Sequence, residues 1–155
     1  MIDPRRAGRY ERLYEQLRGL IELKSPNLVA GMATICALLQ AKLPHHFWTG
    51  FYTVAGPDEL HVGPYQGPLA CQVLRDRGVC LQCARTGQAV VVPDVEQFPG
   101  HIACDSRSKS EIALPLLKDG RVVVVLDIDS AQLAQFDDDD VAPLMRILSL
   151  LDPLL

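Results

Sequence analysis

The segment Ile112-Ala113-Leu114-Pro115-Leu116-Leu117, Lys118-Asp119-Gly120-Arg121, Val122-Val123-Val124-Val125-Leu126-Asp127-Ile128 reads as a β-hairpin, and it sets the architecture of the whole chain. Two apolar, β-prone runs flank a short turn, and Asp119-Gly120 suits the positive φ angles that a tight hairpin turn requires. Four consecutive valines have the composition of a strand with little exposed face, so Val122 to Ile128 is predicted to lie near the middle of a sheet.

Upstream, Gln88 to Val92 is a further strand, stopped by Pro93-Asp94, and Gly78 to Thr86 has the makings of a short helix. Phe47 to Val54 and Glu59 to Val62 form another hairpin across Ala55-Gly56-Pro57-Asp58. The N-terminal third is helical. Leu13, Tyr14, Leu17, Leu20 and Ile21 follow Tyr10 at three-four spacing on a helix ending near Lys24, and Leu28, Met32, Ile35, Leu38 and Leu39 mark a second helix after Ser25-Pro26-Asn27. Phe136-Asp137-Asp138-Asp139-Asp140 opens a last helix through Leu150, its acids placed to face the positive end of the helix dipole rather than to hold a metal. The expected fold class is α+β, an antiparallel sheet with helices packed mainly on one face, as a single domain over residues 1–155. Segments 63–78 and 93–110 are left as long loops, and such loops commonly carry function.

Composition narrows the partners. With 155 residues, 48% hydrophobic and 22% charged, the chain can bury one ordinary core. A net charge of −4 without a basic block argues against nucleic acid and anionic membranes. No apolar run approaches the roughly 20 residues of a membrane span, and the N-terminus lacks a signal-peptide core, so a cytoplasmic location is expected.

Five cysteines is an odd count that fits redox or nucleophilic use better than a disulfide framework. Cys36, between Ile35 and Ala37, reads as core packing. Cys80 and Cys83 form a C-x-x-C pair without the second half of a zinc site, so no metal is expected. Cys104 lies between Pro99-Gly100-His101 and Asp105-Ser106-Arg107-Ser108-Lys109-Ser110, a loop context whose cationic neighbours favour a thiolate. Cys71 and Cys80 precede it in loop-like sequence. Asp127 and Asp129, two apart on a strand, share a face, as do Trp48, Gly50 and Tyr52, where Gly50 is expected to leave space between the rings.

Trp48-Thr49-Gly50-Phe51-Tyr52, Gly63-Pro64-Tyr65-Gln66-Gly67 with Ala70-Cys71, Gly78-Val79-Cys80, Val92-Pro93-Asp94-Val95, Phe98 to Asp105, Ser110-Glu111-Ile112 and Asp127-Ile128-Asp129-Ser130 together resemble the free methionine-(R)-sulfoxide reductases, catalytic members of the GAF-domain superfamily. The resemblance runs from about Trp48 to the final helix. It implies a GAF-like fold and reduction of free methionine-(R)-sulfoxide to methionine. By motif match it makes Cys104 the nucleophile and Cys71 and Cys80 resolving or relay thiols. Trp48, Tyr52, Glu111, Asp127 and Asp129 would line the substrate pocket, with backbone amides near Ile102, Ala103 and Cys104 receiving the substrate carboxylate.

The chemistry is consistent with that implication. Reducing a sulfoxide needs a thiolate to attack sulfur and an acid to protonate oxygen, for which Glu111 or the Asp127/Asp129 pair qualifies if like-charge crowding raises a pKa. The resulting sulfenic acid condenses with Cys71 or Cys80, and thioredoxin, by family resemblance, or another dithiol reductant reopens the disulfide without metal or organic cofactor. The pattern is compatible with a homodimer. Four positions depart from the family: the Cys71–Cys80 segment is one residue short, Leu81 and Val124 stand where glycines are usual, and Cys83 is additional. A non-catalytic GAF sensor binding a small ligand, and a thiol peroxidase or redox sensor using Cys104, are the alternatives.

Overall fold

A computed structural model describes residues 1–155. The central hairpin is built from β5 (Ser110–Lys118) and β6 (Arg121–Ser130), and Asp119 and Gly120 take φ values of 52° and 78° at its tip. With β1 (His46–Gly56), β2 (Glu59–Gln66), β3 (Val73–Arg75) and β4 (Val90–Val92), they make one antiparallel sheet in the order β3-β2-β1-β6-β5-β4. The valine-rich strand is therefore interior, between β1 and β5, as its composition predicts.

Strand alternation divides the sheet into two different faces. Phe51, Ile112, Leu114, Val124, Leu126 and Ile128 point to one side and form a fully dry core with α1 (Pro4–Ile21), α2 (Leu28–Lys42) and α4 (Val141–Leu148). Burying each of these side chains contributes about 1.5–3 kcal/mol, enough to fix the register of the central strands, since a one-residue slip would reverse every side chain. Trp48, Tyr52, Ala113 and Val125 point to the other side, covered in part by the short α3 (Val79–Thr86). Three helices on one face and one on the other is the expected α+β arrangement. Val124 lies in the helix-side core and Leu81 is buried in α3, so both departures from the family glycines are absorbed by packing.

Several boundaries differ from the sequence reading. Segment 63–78 is partly sheet: β2 continues to Gln66, with Tyr65 and Gln66 opposite Gly50 and Thr49, and β3 pairs with the start of β2. Its Gly and Pro content suggests loop, but Pro64 lies beyond the β3 pairing, where a missing N–H costs little. α1 ends at Ile21 rather than near Lys24, with Leu23 at a left-handed φ of 62°. The last helix is interrupted, a 3-10 turn over Asp138–Asp140 preceding α4 and another over Ser149–Leu154 following it.

The acidic run does cap that helix. Asp137 accepts from the Asp139 amide and the Asp140 carboxylate accepts from the Asp137 amide, a reciprocal cap that satisfies exposed donors. Asp140, 2% exposed, also accepts from Tyr10 Oη at 2.8 Å and from Arg6 at 3.4 Å, tying α1 to α4. Replacing it leaves the buried Tyr10 hydroxyl without its acceptor and Arg6 hydrogen-bonded only to its exposed partner Asp137. Asp140→Ala is therefore expected to lower stability by about 2–4 kcal/mol in urea titration, with the Asp140→Asn variant losing less.

Candidate functional site

The site is a direct product of strand register. Glu111 of β5 lies opposite Asp129 of β6, Asp129 lies opposite Trp48 of β1, and Asp127 lies opposite Gly50 and Ala113. Cross-strand partners share a face, so three carboxylates and an indole converge on the side of the sheet away from α1, α2 and α4. They form the floor of a partly open cleft whose lining also includes Tyr52, Cys80 and Cys104. Its walls come from α3 and from the segments around Ala70 and Ile102.

The floor is electrostatically unfavourable. Asp127 is 5% exposed and Glu111 6%, and Asp127 Oδ1 is shut off from solvent with no hydrogen-bond partner. Burial pushes the Asp127 carboxyl well above its ordinary range, and the neighbouring charges of Asp129 and Glu111 push it further. Asp129 is raised by the same causes, burial first and then Glu111, although Ser108 Oγ donates to its Oδ1 at 3.0 Å. The Asp127–Asp129 pair is therefore biased toward holding a proton. His101 Nε2 lies 3.5 Å from Glu111 Oε2, so the histidine of the cysteine loop faces the acids. Neither Ser108 nor His101 carries a local sequence signal for these contacts, which arise from the return of the 93–110 segment over β5 and β6.

An aromatic wall stands beside the floor. Trp48 stacks between Tyr52 and Tyr65, with ring centroids 5.8 and 5.4 Å away. The expectation of a gap at Gly50 is corrected here, because the Trp48 indole folds over that glycine. A Cβ at position 50 would lie 2.3 Å from the indole and 2.5 Å from the Tyr65 Cβ. Glycine is required for close approach, not to keep a vacancy. Trp48 Nε1 is buried without an acceptor, and Tyr52 Oη donates to the Cys71 carbonyl at 3.1 Å, fixing the ring to the thiol loop. Only the β1–β2 register, which sets Tyr65 opposite Gly50, reveals that Tyr65 faces the indole.

The thiols separate into two kinds. Cys71 and Cys104 are joined in a disulfide with a Cα separation of 5.5 Å, and Cys104 is exposed at the cleft mouth. Cys80 lies on α3 rather than in a loop, buried on the cleft wall with Sγ 3.9 Å from Glu111 Oε1. Burial, then the charges of Asp127, Glu111 and Asp129, raises its pKa well above that of a free thiol. Cys83 is wholly buried and pushed up to about 12, and Cys36 is a buried core thiol likewise raised to about 12. Arg107, expected among the cationic neighbours of Cys104, instead clasps Asp105 with bonds of 3.0 and 2.7 Å. The backbone amides of Ile102, Ala103 and Cys104 donate to no backbone acceptor, and all three residues line the cleft.

With this geometry in view, the similarities to known proteins are specific. The GAF domain family matches residues 32–152. The chain is 46% identical over 144 residues to GAF domain-containing protein A of Dictyostelium discoideum, covering 92% of this chain and 90% of that one. It is 39% identical over 130 residues to the free methionine-R-sulfoxide reductase of Escherichia coli K12, covering 83% and 78%. The crystal structure of free methionine-R-sulfoxide reductase from Neisseria meningitidis, in complex with its substrate, superposes with a TM-score of 0.91 at 41% identity, covering 99% of this chain and 90% of that one. No helix here is long and apolar enough to cross a membrane. Coverage of this extent, joined to a thiol pair at the mouth of an acidic cleft, decides the assignment: the chain belongs to the GAF-domain family and, within it, to the free methionine-(R)-sulfoxide reductases.

Proposed function

We propose that this chain reduces free L-methionine-(R)-sulfoxide to methionine with Cys104 as nucleophile and Cys71 as resolving thiol. The observation that carries the reading is the Cys71–Cys104 disulfide at the mouth of the carboxylate-floored cleft. A sulfoxide offers an electrophilic sulfur and a basic oxygen, and the cleft supplies a sulfur attacker and a stored proton together. A ligand-sensing module would have no use for a reversible thiol pair at that position.

In the first step the Cys104 thiolate forms a bond to the sulfoxide sulfur while the proton held by the Asp127–Asp129 pair passes to the oxygen. Transfer of that oxygen to Cys104 leaves a sulfenic acid and frees methionine. The Cys71 thiol then attacks the sulfenic sulfur, forming the disulfide and expelling water. An external dithiol, thioredoxin or another dithiol reductant, reopens the bond in two exchanges, so one dithiol is oxidised per methionine produced. Glu111 holds the substrate ammonium, and the amides of Ile102, Ala103 and Cys104 receive its carboxylate, which restricts the substrate to the free amino acid. Trp48 and Tyr52 enclose the S-methyl group. Cys80, buried and resistant to ionisation, serves as a secondary thiol behind Cys71, and the 1–155 chain works as one GAF-like domain.

The thiol assignment separates by variant. Cys104→Ser is expected to lose at least a thousandfold in turnover with a dithiol reductant, whereas reduced Cys71→Ser, with no reductant added, still releases about one methionine per chain in a single burst. Counting methionine by chromatography checks both.

The acidic floor makes a second test. The folded pKa of Asp127 lies above its unfolded value near 3.9, so the folded state holds the extra proton and stability falls as pH rises between the two values. Asp127→Asn removes that penalty. It is expected to gain more stability over the parent at pH 8 than at pH 5 in urea titration, while losing at least tenfold in kcat.

A further inference from the structure

One oxygen of the floor is buried without any partner, and the nearest soft atom to the acids is the thiol of Cys80. Cys80 Sγ and one carboxylate oxygen each from Glu111 and Asp127 all lie within 4.8 Å of one another, and all three residues are buried. The shortest sulfur–oxygen separation to Glu111 is 3.9 Å. Tetrahedral Zn²⁺ binds thiolate at about 2.3 Å and carboxylate at about 2.0 Å, which places such ligand atoms roughly 3.5 Å apart. Starting within 4.8 Å of one another, the three atoms need close by no more than about 1.5 Å to reach that spacing. Asp127 Oδ1, with neither solvent nor a hydrogen bond, is a second and independent sign that the cluster is built to receive a positive group.

We propose that the reduced protein binds one thiophilic divalent cation, Zn²⁺ or Cd²⁺, through Cys80 Sγ, Glu111 and Asp127, in the place that the substrate ammonium otherwise occupies. Binding replaces the Cys80 S–H bond with a metal–sulfur bond and releases that proton, together with any proton shared by the carboxylates, so no electrons move. The cation neutralises three negative ligands that repel one another, whereas an ammonium group neutralises charge but cannot use the sulfur. Cys83, the other half of the C-x-x-C pair, takes no part, because the cluster is assembled from α3, β5 and β6 and not from sequence spacing. Zn²⁺ is thereby a competitive inhibitor of reduction. The competition rests on the reductase reading above, and the cation site does not.

The test uses the full-length Cys71→Ser/Cys104→Ser protein, which lacks the surface thiol pair but keeps Cys36, Cys80 and Cys83. Titration with Cd²⁺ is expected to produce the ultraviolet thiolate-to-metal charge-transfer band, saturating at one ion per chain. Adding Cys80→Ser should abolish the band, adding Cys83→Ser should leave it, and adding Glu111→Gln should weaken binding at least tenfold. Circular dichroism of each variant establishes that it is folded. No band, or a band that survives Cys80→Ser, overturns the site. Free methionine-(R)-sulfoxide should displace the ion from the protein with Cys80 intact. A band that persists under saturating substrate overturns the shared subsite, and it leaves the reductase reading to the separate Cys104→Ser measurement.

Discussion

Three carboxylates held together on the cleft face of two paired strands are the interaction around which the rest of this molecule is arranged. Glu111, Asp127 and Asp129 cannot all be charged in that position without a counter-ion, so the site stores a proton or attracts a cation. Both are what a sulfoxide-reducing site for a free amino acid needs. The same repulsion is a standing cost to folding, and the opposite face of the sheet offsets it. There, Phe51, Ile112, Leu114, Leu126 and Ile128 are fully buried against α1, α2 and α4, so the strands that carry the acids are the best-anchored in the chain.

Position then follows from alternation. On β6, Leu126 and Ile128 enter the apolar core, while Asp127 and Asp129 enter the cleft. On β5, Ile112 enters the core and Glu111 the cleft. An acidic residue of the cleft is thus placed by its neighbours' hydrophobicity, and moving it would require moving the core. The thiol proposed as the attacker is treated differently. Cys104 sits on an irregular segment at the cleft mouth, where it can meet Cys71 and then an external reductant, while Cys36, Cys80 and Cys83 are packed away in helices.

Much of this was legible in the sequence because the signals were local. Asp119-Gly120 announced its turn, the valine run its central strand and Asp137 to Asp140 a helix start, while Ser25-Pro26-Asn27 marked the start of α2 without showing that Asn27 is its cap. The shared faces of Asp127 with Asp129 and of Trp48 with Tyr52 followed from period two alone. What stayed hidden depended on register between distant segments. Nothing local in Gly63 to Gln66 says that β2 extends there, because the evidence is its pairing with Thr49 and Gly50. Nor does any spacing show that Trp48 fills the hollow over Gly50, that Tyr65 flanks it, or that Cys71 rather than Cys80 closes on Cys104 across 33 residues. The short helix expected over Gly78 to Thr86 does form, with Gly78 at its N-cap, and it takes Cys80 out of the loop-like sequence before it.

The central claim is that one exposed sulfur takes the oxygen and one fixed neighbour closes on it above the acids. Non-reducing peptide mapping of the fully reduced protein after a single equivalent of free methionine-(R)-sulfoxide tests this most directly. The expected product is one peptide pair linked through Cys71 and Cys104, with Cys36, Cys80 and Cys83 recovered as free thiols. A first-formed link through Cys80 or Cys83, or methionine released with Cys104 still a thiol, would contradict it.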